Sequence, residues 1–268
     1  MKTILFCNEW GIKVFLNALR INDLTGIVVA ENRPQSLKII KRRKDIKKIS
    51  IFIQPFKKNK EKFQKFVKNL KNLKPDLILV ISYSMILPKE ILDIPTRGAL
   101  NIHGSLLPKY RGANALNWVL INGEKETGVT IHYIDEGIDT GDIVAQKKIK
   151  ISFLDTATTL KEKLAQTTKS LLKKEWSNIV NNNIKRVPQN NSIASTYWRR
   201  RPEEGQFNWK MPAIKIYNLI RALIKPYPGA YYFDKKGRKI IIDKFLTLKE
   251  IKELQKKNEK NDCSNSST

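Results

Sequence analysis

The sequence predicts an α/β fold, with a Rossmann-like, mostly parallel sheet flanked by helices and a small α+β extension at the C-terminal end. Short β-like runs alternate with helical patterns through the first half of the chain, which is the arrangement of βαβ units. A length of 268 residues accommodates one large α/β domain and a modest appendage. The hydrophobic fraction of 41% is typical of a globular chain.

Four strands separated by helical segments are predicted in the first third of the chain. The strands are Thr3–Phe6, Gly26–Ala30, Ile51–Ile53 and Asp76–Ser82. Gly11–Arg20 has a helical pattern. A second helix is predicted by apolar residues at helical spacing, with lysines on its other face: Phe63, Phe66, Val67, Leu70 and Leu73. The run Asp76–Ser82 is apolar over most of its length, as in a strand buried on both faces, so we expect it in the middle of the sheet.

Three further strands and two helices are predicted between residues 99 and 180. The strands are Ala99–His103, Gly128–Ile134 and Ile143–Ile151, and the helices are Ala113–Asn122 and Thr156–Val180. These elements complete the Rossmann-like core. We therefore expect the first domain to cover residues 1–187.

A small extension is predicted for residues 188–255. It begins with a polar linker, Pro188–Ser195, and continues with a helix over Pro212–Ile224. The strands Ala230–Phe233 and Lys239–Asp243 are separated by a Lys-Lys-Gly turn, which predicts a hairpin. Residues 256–268 are polar and are expected to form a disordered tail.

Several classes of protein are disfavoured by what the sequence lacks. Cys7 and Cys263 have neither metal-ligand spacing nor a disulfide framework, so we expect no metal and a reducing compartment. Asn8-Glu9-Trp10-Gly11 follows the first strand in place of a Gly-x-Gly-x-x-Gly motif, and no P-loop is present, which disfavours NAD and Walker-type chemistry. The apolar runs are too short for a signal peptide or a membrane span, so we expect a cytoplasmic protein without a membrane partner.

The net charge of +26 and the pI of about 10.0 are what a nucleic-acid binder would show. Lysines occur along the whole chain together with many Ile and Asn residues, which favours a compositional bias of the surface. One basic cluster nevertheless leaves an anionic partner open. Its members are Lys38, Lys41, Arg42, Arg43, Lys44, Lys47 and Lys48.

Two strongly polar side chains stand at the end of the predicted strand Ala99–His103. Asn101 and His103 lie two residues apart, which places both on one face of the strand. Such a pair is more often a turn or a hydrogen-bonded, partly buried pair. The carboxyl edge of a parallel sheet is, however, where open α/β folds bind ligands. A second polar loop, Asp135–Asp142, follows the next strand and can reach the same crevice.

Four motifs make the chain resemble the 10-formyltetrahydrofolate-dependent formyltransferases. They are Asn101-Ile-His103-Gly-Ser-Leu-Leu-Pro108, Tyr110-Arg-Gly112, Glu126-Thr-Gly-Val-Thr130 and Asp139-Thr-Gly-Asp142. The resemblance implies that Asn101 and His103 act at the formyl carbon and that Asp139 orients His103. It also implies that 10-formyltetrahydrofolate is the co-substrate and that two loops line its pocket. Their residues are Met85, Ile86, Leu87, Asp135, Glu136, Gly137 and Ile138.

The chemistry of formyl transfer accounts for these residue types. Attack of an amine on a formamide carbonyl builds an oxyanion, and each preorganised donor beside it is worth about 3 to 4 kcal/mol. The amide of Asn101 and the ring of His103 are suitable donors. A histidine beside a carboxylate also moves protons near neutral pH. The other histidine, His132, lies within a predicted strand and is assigned no chemistry.

The family acts on glycinamide ribonucleotide, methionyl-tRNA and nucleotide-linked amino sugars, so the acceptor has to be inferred separately. The short region after the linker has little room for the extra barrel domain of the tRNA enzymes. The segments Gly112–Glu124, Arg199–Trp209 and Pro226–Ala230 are similar to the sugar-nucleotide enzymes, especially those acting on UDP-4-amino-4-deoxy-L-arabinose. A tRNA acceptor is the second expectation. A non-catalytic folate or nucleic-acid binder is the third.

Candidate acceptor contacts follow from this resemblance and from charge. Guanidinium groups bind a diphosphate well, and Trp209 or Tyr197 can stack on a base, although packing in the core explains Trp209 equally well. Ala113 stands where the arabinose enzyme has an arginine, which leaves the particular sugar open. A homodimer is compatible with the resemblance. The candidate contacts are Lys109, Arg111, Arg199, Arg201 and Trp209.

Overall fold

The computed structural model describes residues 1–20, 22 and 24–263, and the chain divides into two compact units. Unit 1 comprises Met1–Lys109, Gly128–Lys147 and Ala165–Ala194. Unit 2 comprises Tyr110–Thr127, Lys148–Leu164 and the chain from Ser195 onward. Each unit is built from several segments of the chain, so the division into units does not correspond to a single boundary. The domain boundary expected after residue 187 stays a prediction.

The secondary structure follows the predicted alternation of strands and helices. The strands are β1 (Thr3–Cys7), β2 (Leu24–Ala30), β3 (Ser50–Gln54), β4 (Leu77–Ile81), β5 (Ala99–His103), β6 (Arg111–Gly112), β7 (Glu126–Tyr133), β8 (Ile143–Lys150), β9 (Thr196–Tyr197), β10 (Ala230–Phe233) and β11 (Lys239–Ile242). The helices are α1 (Glu9–Ala18), α2 (Pro34–Lys41), α3 (Lys60–Asn72), α4 (Lys89–Leu92), α5 (Ala115–Ile121), α6 (Ala157–Val180), α7 (Ala213–Leu223) and α8 (Leu248–Cys263).

A seven-stranded sheet has the order β3-β2-β1-β4-β5-β7-β8. Strands β1 to β5 pair in parallel, and β7 pairs antiparallel with β5. The predicted fold class is therefore confirmed, as is the position of β4 at the centre of the sheet. The carboxyl ends of β4 and β5 lie side by side, which brings the loops that follow them to one edge.

The core of unit 1 explains why β4 is central. Its five residues, Leu77–Ile81, are each at most 5% exposed. One face of the sheet packs against Phe63, Phe66 and Leu70 of α3, which are three of the five residues predicted from helical spacing. Burying each side chain of this size is worth about 1.5–3 kcal/mol. Such packing gives the sheet a rigid edge on which polar side chains can be placed.

The extension contains the predicted helix and hairpin. Helix α7 covers Ala213–Leu223, and β10 pairs antiparallel with β11. Helix α8 continues through residues 256–263, and the disorder expected for residues 256–268 stays a prediction. Ile251 is fully buried, and Gln255 Nε2 donates to the carbonyls of Trp209 and Met211, so α8 packs within unit 2. Residues 264–268 lie outside the described residues.

Helices α2 and α4 were not predicted. Helix α4 begins after Pro88 and has only four residues, so it is too short for helical spacing to reveal.

Among the described residues, no helix has the length and apolar character needed to cross a membrane.

Candidate active site

Polar residues from β5 and β7 meet at the carboxyl edge of the sheet. Asn101 and His103 lie on β5, with Asn101 opposite His132 of β7 and His103 opposite Thr130. Since side chains alternate along a strand, Asn101 and His103 project to one face, and His132 joins them there. The antiparallel register therefore adds a residue that the sequence did not assign to the site.

Two of the predicted catalytic side chains, those of Asn101 and His103, lie beside the carboxylate of the third, Asp139. Asn101 Nδ2 lies 3.2 Å from Asp139 Oδ1, and His103 Nδ1 lies 3.4 Å from Asp139 Oδ2. The side chains of His103 and Asp139 are only 9% and 14% exposed, so their electrostatic interaction is weakly screened by water. This arrangement can orient the imidazole and stabilise its protonated form.

His132 was missed, and the structure gives it a definite position. It is 1% exposed, and its Nε2 lies 3.1 Å from Asn101 Nδ2 and 3.4 Å from Asp139 Oδ1. Its Nδ1 lies 2.7 Å from the Tyr133 carbonyl, so the neutral ring carries its proton on Nδ1 and leaves Nε2 as an acceptor. Both neighbours of the Asn101 amide, His132 Nε2 and the Asp139 carboxylate, are acceptors, so the NH2 group of the amide must face them. His132 therefore fixes which way the amide points.

The loop that carries Asp139 is held by its own backbone and by a distant glutamine. Asp139 has a φ of 54°, a left-handed conformation that non-glycine residues rarely adopt. A Cβ at Gly141 would lie 2.1 Å from the Tyr133 carbonyl, so this position requires glycine. Gln189 Nε2 donates to the carbonyls of Asp139 at 2.8 Å and Gly141 at 2.7 Å. Gln189, which lies in the predicted linker, was also missed.

The motif around Thr130 holds the loop that follows His103. Thr130 Oγ1 donates to the Ser105 carbonyl at 2.6 Å and accepts from Leu107 N at 3.2 Å. A Cβ at Gly128 would lie 2.5 Å from Leu106 Cδ2, so glycine allows the loop to approach β7. The first and third sequence motifs thus form one packed unit beside the cluster.

The two predicted folate loops lie next to each other. Leu87 is buried in the core cluster against which Ile134, at the start of the second loop, also packs. Lys89 Nζ lies 3.6 Å from Glu136 Oε1. The side chains differ in their exposure, because Ile86 is 80% and Ile138 is 58% exposed whereas Leu87 faces the core. Leu87, which is 8% exposed, therefore offers a ligand little side-chain surface.

Within the second loop, Asp135 serves a structural purpose. Its Oδ1 accepts from Thr140 Oγ1 at 2.6 Å and from Gly137 N at 3.1 Å, which closes the turn that precedes Asp139.

No group of three His, Cys, Asp or Glu side chains among the described residues is arranged to hold a metal ion.

The predicted acceptor residues differ in their exposure. Lys109 lies in unit 1 and is exposed. Within unit 2, Arg111 is only 7% exposed, Arg199 is exposed, and Trp209 packs against Phe207 and Tyr232 at 5.1 Å from each ring. The structure thus favours the packing interpretation of Trp209.

Arg201 lines a pocket of about 160 Å³ that lies entirely within unit 2. Arg200 lines it too, with its guanidinium 4.8 Å from the Trp118 ring and Nη2 donating to the Glu204 carbonyl at 2.6 Å. Burial lowers the pKa of Arg200, but an arginine side chain remains charged. Its Nε is buried without a hydrogen-bond partner among the described residues. The other lining residues are Asn114, Asn117, Pro202, Gly205, Leu223, Tyr227, Pro228 and Gly229.

Comparison with known protein families identifies two matching segments. Residues 7–175 match the family described as Formyl transferase, and residues 200–264 match that described as Formyl transferase, C-terminal domain. The first match covers more than half of the chain. The second covers the region that contains α7, the β10–β11 hairpin and α8.

Two curated relatives are similar over the first part of the chain. The bifunctional polymyxin resistance protein ArnA of Wigglesworthia glossinidia brevipalpis is 49% identical over 166 residues, which are 61% of this chain and 25% of that protein. The methionyl-tRNA formyltransferase of Alkaliphilus oremlandii is 45% identical over 161 residues, which are 60% of this chain and 52% of that protein. The matched region thus spans a quarter and about half of these relatives.

Among solved structures, one of the similar chains is WlaRD, a sugar 3N-formyl transferase crystallised in the presence of dTDP and 5-N-formyl-THF. Its sequence identity is 25% and its TM-score is 0.65. The match covers 84% of this chain and 79% of that one.

Proposed function

Because the chain belongs to the Formyl transferase family, we propose that it transfers the formyl group of 10-formyltetrahydrofolate to the primary amine of a nucleotide-linked amino sugar. The observation that carries the proposal is the meeting of Asn101 and His103 at the carboxylate of Asp139, with distances of 3.2 and 3.4 Å. A non-catalytic folate binder has no need for this convergence.

Each residue of the cluster has a part in the proposed reaction. The amine nitrogen forms a bond to the formyl carbon, and the carbonyl oxygen becomes an oxyanion. The Asn101 amide stabilises this oxyanion as a donor, and His103 joins it once it has taken a proton and become an imidazolium. The bond from the carbon to N10 of the folate then breaks. His103 takes the proton that the amine loses and returns one to N10, while Asp139 stabilises the imidazolium. The products are a formamide and tetrahydrofolate.

The two loops beside the cluster fit a folate. Ile86 and Ile138 expose large apolar side chains on these two loops, and an apolar surface suits a flat pterin ring. Glu136, and the oxygen of Asp135 that does not close the turn, supply acceptors for the amino group and ring N–H groups of a pterin. We propose that residues 85–87 and 135–138 hold the co-substrate next to His103.

The choice of a sugar nucleotide rests on two observations. WlaRD, which is similar over most of this chain, is a sugar formyltransferase crystallised with dTDP. The pocket of unit 2 brings together Arg200, Arg201 and the amide side chains of Asn114 and Asn117. Guanidinium forks match the geometry of phosphate oxygens, so this pocket suits a diphosphate.

Methionyl-tRNA is the second candidate, because one region of the chain is strongly basic. Residues 33–74 contain sixteen Lys or Arg and two Asp or Glu, a net charge of +14 out of +26. Arg42 and most of the other members of the basic cluster are exposed. The region is mainly lysine, whereas nucleic-acid interfaces are usually enriched in arginine and aromatic residues, so we rank this acceptor second.

An acceptor panel tests the proposal directly. UDP- and dTDP-linked amino sugars and methionyl-tRNA would each be offered with 10-formyltetrahydrofolate, and the formylated product would be measured by mass spectrometry. We expect at least one sugar nucleotide to give a kcat/KM about 100-fold above that of the tRNA, a difference of about 2.7 kcal/mol in transition-state stabilisation. Formylation of the tRNA alone, with a rate that falls steeply as salt rises, would refute the sugar acceptor.

The pocket makes a separate prediction about Arg201. Arg201→Gln is expected to raise KM for the sugar nucleotide by about tenfold, because a charge-assisted hydrogen bond to phosphate is worth about 1.5–3 kcal/mol. The KM for the folate should not change. Arg42→Gln, which removes the same charge from the basic cluster, is the matched control. A larger effect of Arg42→Gln than of Arg201→Gln would contradict the assignment of the pocket.

A further inference from the structure

Polar side chains at the carboxyl ends of three strands form hydrogen bonds with the loop between β4 and α4. Asn8, directly after β1, donates from Nδ2 to Ser82 Oγ at 2.9 Å. Asn32, after β2, accepts at Oδ1 from Ser84 Oγ at 2.8 Å. Gln54, the last residue of β3, donates from Nε2 to the Ile86 carbonyl at 3.2 Å. Every second residue of the loop, at positions 82, 84 and 86, is therefore bonded to a residue at the end of a different strand.

The bond from Gln54 is reinforced by a tyrosine of the loop itself. Tyr83 OH donates to Gln54 Oε1 at 2.8 Å, which fixes the orientation of the amide so that its nitrogen faces the Ile86 carbonyl. Gln54 is 2% exposed, and the Tyr83 ring packs on Phe6 with a centroid distance of 5.3 Å. Burial raises the pKa of Tyr83, so the hydroxyl keeps the proton that it donates.

The two ends of the loop are set by the backbone at Ser82 and by the core at Leu87. Ser82 has a φ of 53°, a left-handed turn out of β4 that is uncommon for a serine. At the other end, Leu87 packs into the core cluster. Between them Ile86 is 80% exposed, and its carbonyl is tied to the body of unit 1 by Gln54.

We infer that Asn8, Asn32 and Gln54 are positioning residues that hold the backbone of residues 82–86 in the conformation that binds the folate. This inference rests on the proposed function, in which residues 85–87 contact the co-substrate. Loss of an anchor lets the loop sample other conformations, and the fraction that binds falls accordingly. The effect therefore falls on folate affinity and not on the chemical step.

Gln54→Leu is the principal test, since it removes both hydrogen bonds of the amide at similar volume. We expect the Kd for folinic acid, a stable analogue of the co-substrate, to rise by about tenfold, as the loss of a buried hydrogen bond predicts. The KM for 10-formyltetrahydrofolate should rise equally, with kcat and the KM for the acceptor unchanged. Gln64→Leu, which replaces an exposed glutamine of α3, is the matched control.

Gln54→Glu separates positioning from general stability. When neutral, the new carboxyl donates to the Ile86 carbonyl as the amide does, and when ionised it repels that oxygen. The ratio of its folinic acid Kd to that of the wild-type chain should therefore fall toward one as pH is lowered, because a larger fraction of the carboxyl is then protonated. The ratio for Gln54→Leu should not vary with pH.

Two further variants guard against misfolding. Asn32→Ala and Ser84→Ala remove the same surface hydrogen bond from its two sides, and each is expected to raise the folinic acid Kd by about threefold. A wild-type chain that does not bind folinic acid would refute the proposed function. If the wild-type chain binds folinic acid, two results would refute the positioning role alone. One is a Kd for folded Gln54→Leu within about twofold of the wild-type Kd, and the other is a Kd ratio for Gln54→Glu that does not fall as pH is lowered.

Discussion

Replacement of His103 by alanine is expected to lower kcat/KM for formyl transfer by about 10³-fold, which corresponds to about 4 kcal/mol. His103 is the proposed group that both accepts the proton of the amine and donates one to N10. Alanine removes the proton carrier and one oxyanion donor together. Folinic acid should still bind with a Kd within about threefold of wild type, since the two proposed folate loops are held by other contacts.

Three measurements distinguish a chemical role of His103 from a structural one. Single-turnover rates report the chemical step, and thermal unfolding reports whether the variant folds. Added imidazole should restore part of the rate of His103→Ala, because a free base can enter the space left by the ring. His103→Gln keeps a hydrogen-bond donor but cannot carry a proton, so its rate should remain low. Activity of His103→Ala within tenfold of wild type would exclude His103 as the proton carrier.

The position of Asn101 sets a limit on how it can act as an oxyanion donor. Its amide nitrogen already faces His132 Nε2 at 3.1 Å and Asp139 Oδ1 at 3.2 Å. To donate to an oxyanion, the amide must give up one of these contacts. The exchange is favourable only if the oxyanion carries more charge than the group it replaces, as it does in the transition state. Asn101 would then bind the transition state better than the bound formyl group, which is the condition for catalysis.

Much of the sheet followed from local sequence patterns. Strand β5 was predicted with both of its bounds, Ala99 and His103, and β4 was predicted at the centre because an apolar run has no polar face to present to water. The period-two spacing of Asn101 and His103 correctly gave their shared face. Patterns of this kind depend on neighbouring residues, so they can be recognised in a single sequence.

Other features depend on contacts between distant residues and could not be predicted. His132 enters the cluster through the antiparallel register of β7 on β5, which no local pattern specifies. Gln189 bonds to the carbonyl of Asp139, fifty residues earlier, and backbone acceptors are not visible in a sequence. Helix α8 is held by the burial of Ile251 and by two bonds from Gln255 to backbone carbonyls, which the polar composition of this segment does not reveal.

Asp139→Asn is expected to lower kcat/KM by about 10²- to 10³-fold. The substitution keeps the shape of the side chain, so the loop held by Gln189 should retain its conformation. One oxygen can still accept from Asn101 Nδ2, but the amide cannot stabilise an imidazolium as a carboxylate does. If the new NH2 group faces His103 Nδ1, it also favours the tautomer with the proton on Nε2, which cannot accept the proton of the amine.

The test of this prediction uses a charge-matched control and a double variant. Asp93→Asn removes one negative charge from an exposed position of unit 1 and should change kcat/KM by less than about twofold. Asn101→Ala combined with Asp139→Asn should cost less than the sum of the two single effects, because each residue acts partly by holding the other. Strictly additive effects would show that the 3.2 Å contact between the two side chains does not contribute to catalysis, and that Asp139 acts through His103 alone.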